Sequence, residues 1–418
     1  MSESIALDAK TPDALQQSSG KSVLMFLAMA LMAALLNSSA PTPLYPLYQH
    51  ELGLTSVSLT IIYGAYAAGV LIALFSVGNL AGKVADLRRL MLPALAAVFG
   101  GALLFSVADS FSCLFIARLL AGVGTGALTG AANLSLVRYG PQDGGKVAAL
   151  IATLSFTTGL AVGPVFSGIA LQTGFHTTTL PFVFIMLVAT VAFIGIQISW
   201  PRESVAQPAS SVKESVLTKD STLLSGLKAT GLKFFLCAGS LFTSWAFAAS
   251  ILSIGPGVSE HLLGMESHGI YGYVIAVYLV TAGISQILSR RISARFSLIT
   301  GCLTQAISIG IFALAIGFSS LPLACVALLM AGYSYGAIFV GSATLVNLIS
   351  PRASHARLLS LFYVIAYIAN WVPVALGVVV DRASLQLAVN YLFVISGLVC
   401  LILAAGVAKS VRGKSTIL

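Results

Sequence analysis

Runs of about twenty apolar residues recur along this chain, and they leave it few ways to fold. A helix needs about 20 apolar residues to cross a bilayer, whereas a barrel strand needs only about 10. The runs fall at 22–49, 57–82, 90–108, 112–137, 147–171, 180–199, 231–256, 268–289, 297–317, 321–349, 357–380 and 388–408, bounded by charges or by Gly, Pro and Ser. They predict an all-α membrane protein of twelve spans. Pro41, Pro43 and Pro46 predict a break near the end of span 1. Only 8% of the 418 residues are charged and 58% are hydrophobic, whereas soluble chains carry roughly 25% charge. So little charge cannot cover a water-facing surface, which excludes an ordinary cytosolic enzyme, a disordered chain and a nucleic-acid binder.

The net charge of +9 has a direction. With the predicted spans, 20 of the 22 Lys and Arg fall in the two tails and in the loops after the even-numbered spans, counting Lys233 and Arg357 at the first residues of the spans that follow. Arg382 alone falls on the other side, and Arg118 lies within span 4. This asymmetry puts both termini in the cytoplasm. Residues 1–21 read as a cytoplasmic tail without a removable signal peptide, and 409–418 as a second tail. Residues 200–230, with Pro201, Pro208 and several Ser, read as a flexible linker. They separate a six-helix bundle at 22–199 from another at 231–408. The halves echo each other. Asn133-Leu134 with Arg138 recurs as Asn347-Leu348 with Arg352, and Pro164 with Gly168 recurs as Pro373 with Gly377. A parallel repeat is expected. The five cysteines, odd in number and without a CxxC pair, read as buried hydrophobes, and the five histidines show no metal spacing. No cofactor or metal is expected.

Arg118 is the charge placed deepest. Ionisable groups at that depth usually face a bundle interior or a water-filled cavity. Backbone carbonyls or Asp109 could also satisfy it. None of the 13 acids falls at mid-membrane, so a central site should favour neutral or anionic solutes. Any protons would then travel on edge groups such as Glu51 and Asp109, or on the substrate. Candidate cavity walls are Asn37, Trp245, Gln286, Tyr333, Tyr363, Tyr367 and Asn370, of which the last three share one helix face. Gly159, Gly163 and Gly168 with Pro164 mark a close helix approach.

Three motifs carry a resemblance. The loop after span 2 reads Gly82-Lys83-Val84-Ala85-Asp86-Leu87-Arg88-Arg89, span 4 reads Arg118-Leu-Leu-Ala-Gly122-Val-Gly124, and span 5 reads Gly159-Leu-Ala-Val-Gly163-Pro164-Val-Phe-Ser-Gly168. Each resembles a motif of the major facilitator superfamily, the last one that of its proton-driven drug antiporters. The first is shortened and lacks the inner Arg-x-Gly, and Ser167 replaces a Gly in the last. The resemblance implies two six-helix bundles working by alternating access. It implies a gate at Asp86, Arg88 and Arg89 that bridges the halves, proton or substrate coupling at Arg118, and a seam or hinge at Gly122, Gly159, Gly163, Pro164 and Gly168.

The expected function is secondary active transport, by proton-coupled efflux of neutral or anionic drug-like molecules or metabolites. The alternative is proton-coupled uptake of a small organic acid held by Arg118, and the remote one a receptor that moves nothing. The expected partners are a small-molecule substrate, protons and the lipid bilayer, with no nucleic acid. The chain is expected to be a monomer in a bacterial inner membrane, and not an enzyme.

Overall fold

The computed structural model describes residues 12–81, 86–141, 145–200, 223–265 and 267–410. The loop motif residues 82–85, most of the linker and both chain ends lie outside the described residues. So do Lys10, Lys83, Arg202, Lys213, Lys219, Arg412 and Lys414. Among the described residues the chain is helix and turn without strand.

Twelve helices are long and apolar enough to cross a membrane: Ser22–Glu51, Ser56–Ser76, Arg88–Ser106, Phe111–Tyr139, Lys146–Thr173, Leu180–Ser199, Leu232–His261, Gly269–Ser289, Ala294–Gly317, Leu321–Ile349, His355–Arg382 and Leu385–Ser410. They are spans 1 to 12 below, and most bounds differ from the expected ones by three residues or fewer. Span 7 differs more. Pro256, expected to end it, sits inside a helix that runs on to His261. One missing backbone bond is tolerable there, because neighbouring spans pack around the turn it loosens. The outer surface is apolar, with Ile198 80% and Ile402 68% exposed, as a hydrocarbon medium requires. Cys237, Cys302 and Cys400 are buried, but Cys113 is half-buried and Cys325 exposed, which corrects the expectation that all five are.

Span 1 breaks where its prolines predict. Its main helix ends at Ser39, and a 3-10 turn at Thr42–Leu44 leads into a short helix, Tyr45–Glu51. Span 11 breaks likewise at Ala369–Trp371. The linker expectation needs correction at its end. Leu223–Thr230 is helical, and a Cβ on Gly226 would lie 2.8 Å from the Ser354 Cβ at the start of span 11. A glycine there lets this short helix lie against the second bundle.

The buried apolar residues of spans 1 to 6 form one continuous cluster, joined by Ala249 of span 7. Those of spans 7 to 12 divide into three smaller clusters. The halves meet along span 5 against span 8 and span 2 against span 11. Glycines set both seams. A Cβ on Gly168 would lie 2.6 Å from the Gly269 carbonyl oxygen, and one on Gly272 would strike the Pro164 carbonyl. A Cβ on Gly377 would lie 2.7 Å from Thr60 Oγ1. The two Pro-to-Gly segments that echo each other in sequence therefore occupy corresponding positions, each against the other half.

Gly272→Val should force spans 5 and 8 apart. Overpacking costs about 1–3 kcal/mol, and here the obstacle is backbone that cannot rotate away. A lower melting temperature and lost transport are expected. Gly310→Ala, where a Cβ meets nothing within 4 Å, is the control and should leave both unchanged.

Candidate functional site

Arg118 lies seven residues past Phe111, the first helical residue of span 4, or about 10 Å along the axis. It is 1% exposed. The break in span 1 explains how the structure tolerates it. A helix leaves its last carbonyls without intrahelical partners, and its C-terminal end attracts positive charge. The Arg118 guanidinium donates to the Ser38 carbonyl at 2.5 Å. Ser167 of span 5 donates to the Ala40 carbonyl at 2.6 Å. The prolines of span 1 thus create acceptors that spans 4 and 5 use.

Three tyrosine rings surround the guanidinium. Its carbon lies 5.9 Å from the Tyr45 ring centre, 5.3 Å from Tyr63 and 5.2 Å from Tyr66. Tyr63 and Tyr66 are three apart and share a face of span 2. Glycines bring that face close. A Cβ on Gly122 would strike the Tyr66 carbonyl, and one on Gly69 would strike the Leu119 carbonyl. Each ring contributes about 0.5–2 kcal/mol, more where water is excluded. The Arg118 Nε makes no hydrogen bond. The single ion pair among the described residues is elsewhere, between Arg88 and Asp86. Asp109 and Glu51 are both exposed, so neither neutralises Arg118. The site is a buried cation held by rings and one carbonyl, with bonding capacity to spare.

The second half supplies a facing aromatic wall. Trp245 stacks on Phe339 at 6.3 Å between centres and meets Tyr367 edge-on at 5.1 Å. The halves approach each other beside Tyr63, where a Cβ on Gly64 of span 2 would lie 3.4 Å from the Trp371 ring of span 11. The other expected wall residues scatter. Asn37 is fully buried inside the first half and donates to the Val98 carbonyl at 3.0 Å. Tyr333 bonds Thr300 of span 9 at 3.2 Å. Asn370 donates to the carbonyl of Tyr367, one turn back, at 3.2 Å. Tyr363 packs edge-on against Phe362 at 5.3 Å, and Gln286 is half-buried on span 8. The contacts of Asn37, Tyr333, Asn370 and Tyr363 each lie within one half, of a kind common among polar groups in membrane helices.

The seam residues also divide. Gly159 meets Met32 and Leu35, and Gly163 meets Leu36, Ser39 and Ala40, all of span 1. With Gly122 they pack within the first half. Pro164 and Gly168 face span 8 of the other half.

Asp86 binds its own loop. The Arg88 side chain donates to its carboxylate at 2.7, 2.9 and 3.1 Å, and the Arg88 backbone N–H at 3.0 Å. Partial burial raises the Asp86 carboxyl, but the Arg88 bonds outweigh it and hold it below the usual carboxylate range. Arg88 also lies over the Trp200 ring at 5.7 Å, and Arg89 is exposed. Among the described residues, these contacts of Asp86 and Arg88 lie inside the first half.

Other side-chain hydrogen bonds do join the halves: Tyr273 of span 8 to Gln172 of span 5 at 2.8 Å, Arg290 to Thr153 at 3.5 Å, and a pair at the end of span 11. Asp381, in the last turn of span 11, accepts from the backbone N–H groups of Ser56 and Val57 at 2.9 Å each. These are unpaired donors at the N-terminus of span 2, where negative charge is favoured. Asp381 and the Arg118 tyrosines were not among the candidates read from sequence. The signal for the rings was Tyr63 and Tyr66 three apart, close to Gly69. The signal for Asp381 was an acid closing a span whose partner span begins with Ser and no charge.

The sequence profile of the Major Facilitator Superfamily matches residues 27–372. The quinolone resistance protein NorA of Staphylococcus aureus (strain MRSA252) is 25% identical over 251 residues, covering 56% of this chain and 60% of NorA. Solved structures share the fold at low identity. A POT family transporter in complex with a thioalcohol-conjugated peptide superposes with a TM-score of 0.74 at 13% identity, over 95% of this chain and 97% of that one. The nucleoside transporter NupG gives 0.72 at 12%, over 93% and 99%. A bacterial homologue of the human lysosomal transporter Spinster, inward-facing and unoccupied, gives 0.69 at 14%, over 93% and 96%.

Proposed function

We propose that this chain, which belongs to the major facilitator superfamily, exports neutral or anionic drug-like molecules or metabolites in exchange for protons. It is a multi-pass membrane transporter by family. The observation that carries the finer reading is Arg118, a buried guanidinium with an unused donor and no carboxylate beside it. Such a group draws an anionic or strongly polarised solute toward the interface, where the rings of both halves offer apolar contact. The likeness to NorA, whose name gives quinolone resistance, supports export and a bacterial plasma membrane.

The mechanism is alternating access by rocking of two bundles. The one-sided bases put the termini in the cytoplasm. The end where Asp381 meets span 2 then faces outward. Spans 5 and 8, packed backbone to backbone at Pro164 and Gly168, act as the hinge, and the protein works as a monomer. Proton carriers are the outer-end acids Glu51 and Asp109. In the outward-facing state Asp86 and Arg88 exchange their mutual bonds for partners on the second half, which steadies that form. Asp86→Asn should then slow turnover about tenfold while substrate binding changes less than twofold. Unchanged turnover would reduce the loop to a topology signal.

Uptake of a small organic acid is the second reading, favoured by the same lone Arg118 charge. Everted vesicles carrying a dye-reported proton gradient separate the two. Export predicts that an added substrate dissipates the gradient in wild-type vesicles and not in Arg118→Ala vesicles. Uptake predicts no dissipation there, but accumulation of a labelled organic acid in intact cells.

A further inference from the structure

The second half holds a cavity of about 90 Å³ among spans 7, 8, 9, 10 and 12, lined by Phe247, Phe312, Leu328, Leu392 and Phe393 among others. Its three hydroxyl side chains all donate to backbone carbonyls. Ser250 donates to the Ala246 carbonyl at 2.8 Å, Ser259 to Pro256 at 2.7 Å and Tyr271 to Ile251 at 2.6 Å. A buried water needs two to four polar partners, and these hydroxyls, their protons already used, offer it no donor. A charged or polar solute would lose its hydration and gain little in return. The cavity therefore suits hydrocarbon, and it lies within one half rather than between the two.

Its mouth is marked by Leu321 and Cys325, one turn apart on span 10, which both line the cavity and are exposed. Beside them on span 10, Val326 and Leu329 are 48% and 44% exposed, and on span 12 Val394 and Ile395 are each 60% exposed. The mouth thus opens onto the lipid-facing surface of a membrane bundle. The volume is below the roughly 150 Å³ that admits a benzene ring, so it fits a chain end better than an aromatic drug.

We propose that this cavity takes the end of one bilayer acyl chain, entering sideways past Cys325 and packing against Leu328 and Phe247. The occupant comes from the bilayer itself, which surrounds the mouth at high concentration. It completes the packing of a half whose core is divided.

The test uses the full chain in vesicles of phosphatidylcholine carrying a trace of lipid with a diazirine at the end of one acyl chain. After irradiation, adducts are mapped by peptide mass spectrometry. Adducts are expected on Phe247, Leu328 or Leu392, which are 3%, 7% and 7% exposed, as well as on Cys325. Adducts confined to outward residues such as Val326, Leu329 and Val394 would overturn the proposal. Ala324→Phe, which fills the cavity, should cut the inner adducts at least tenfold and leave the outer ones. Should that variant not fold, Cys325→Trp closes the mouth from an exposed position and should give the same loss. Inner adducts that survive either change would also overturn it. A free short alkyl diazirine is the last arm. Inner labelling by that probe and none by the lipid would assign the cavity to a small solute instead.

Discussion

Arg118→Ala is expected to lower transport about 100-fold or more while leaving the protein folded and nearly as stable as before. Two terms oppose each other in stability. Burying an ion costs several kcal/mol in lost hydration, and Arg118 recovers part of that from one carbonyl and three rings. Removing it releases that cost. It also leaves a void, and large-to-small changes in packed interiors cost about 2–5 kcal/mol. The sum lies close to zero, so a melting temperature within a few degrees of wild type is expected. Transport has no such offset. A desolvated charge partner is worth about 2–5 kcal/mol to the group it recognises, so losing it should lower transport about 100-fold or more. Arg118→Lys keeps the charge and loses the flat surface that stacks on rings. It should retain weak binding and transport about tenfold below wild type. Full transport by the alanine variant would remove Arg118 from the mechanism.

Asp381→Ala is expected to loosen the end of the molecule where Asp381 accepts from Ser56 and Val57. A hydrogen bond to a charged group is worth about 1.5–3 kcal/mol when buried. Asp381 is exposed, and water can replace it at the span 2 terminus, so the pair together is worth about 1–2 kcal/mol. That moves a two-state equilibrium about tenfold. Spin labels at His50 and Ser384, both exposed and on opposite halves, would report it as a tenfold gain in the long-distance population. Asp381→Asn keeps the shape and one acceptor but loses the charge. It stands in for the protonated acid and should give about half the free-energy shift. An unchanged distance distribution in both variants would sink the idea that this contact governs access.

The fold was legible because its signal is coarse. Twenty apolar residues between polar punctuation can hardly be misplaced, and even the break in span 1 was announced by Pro41, Pro43 and Pro46. Pro256 misled because a proline inside a membrane helix loses one bond where neighbours compensate, so it need not end the helix. Sites are finer. Asn37 and Tyr333 looked like cavity walls because polarity within a span marks either a cavity or a helix contact, and sequence does not say which neighbour is within 3 Å. Gly159 and Gly168 lie nine apart on one helix, yet one meets its own half and the other meets the second. That division depends on where two bundles touch. The Asp381 contact joins residues 324 and 325 positions apart, a separation that periodicity within one element cannot show.

The unequal cores of the two halves have a mechanical meaning. One continuous cluster makes spans 1 to 6 a stiff body, a stator against which the site residue Arg118 is fixed. Three smaller clusters around a hollow make spans 7 to 12 a compliant rotor that can flex as it turns. Strain from each cycle should then collect in the second bundle, and heat should soften that bundle first.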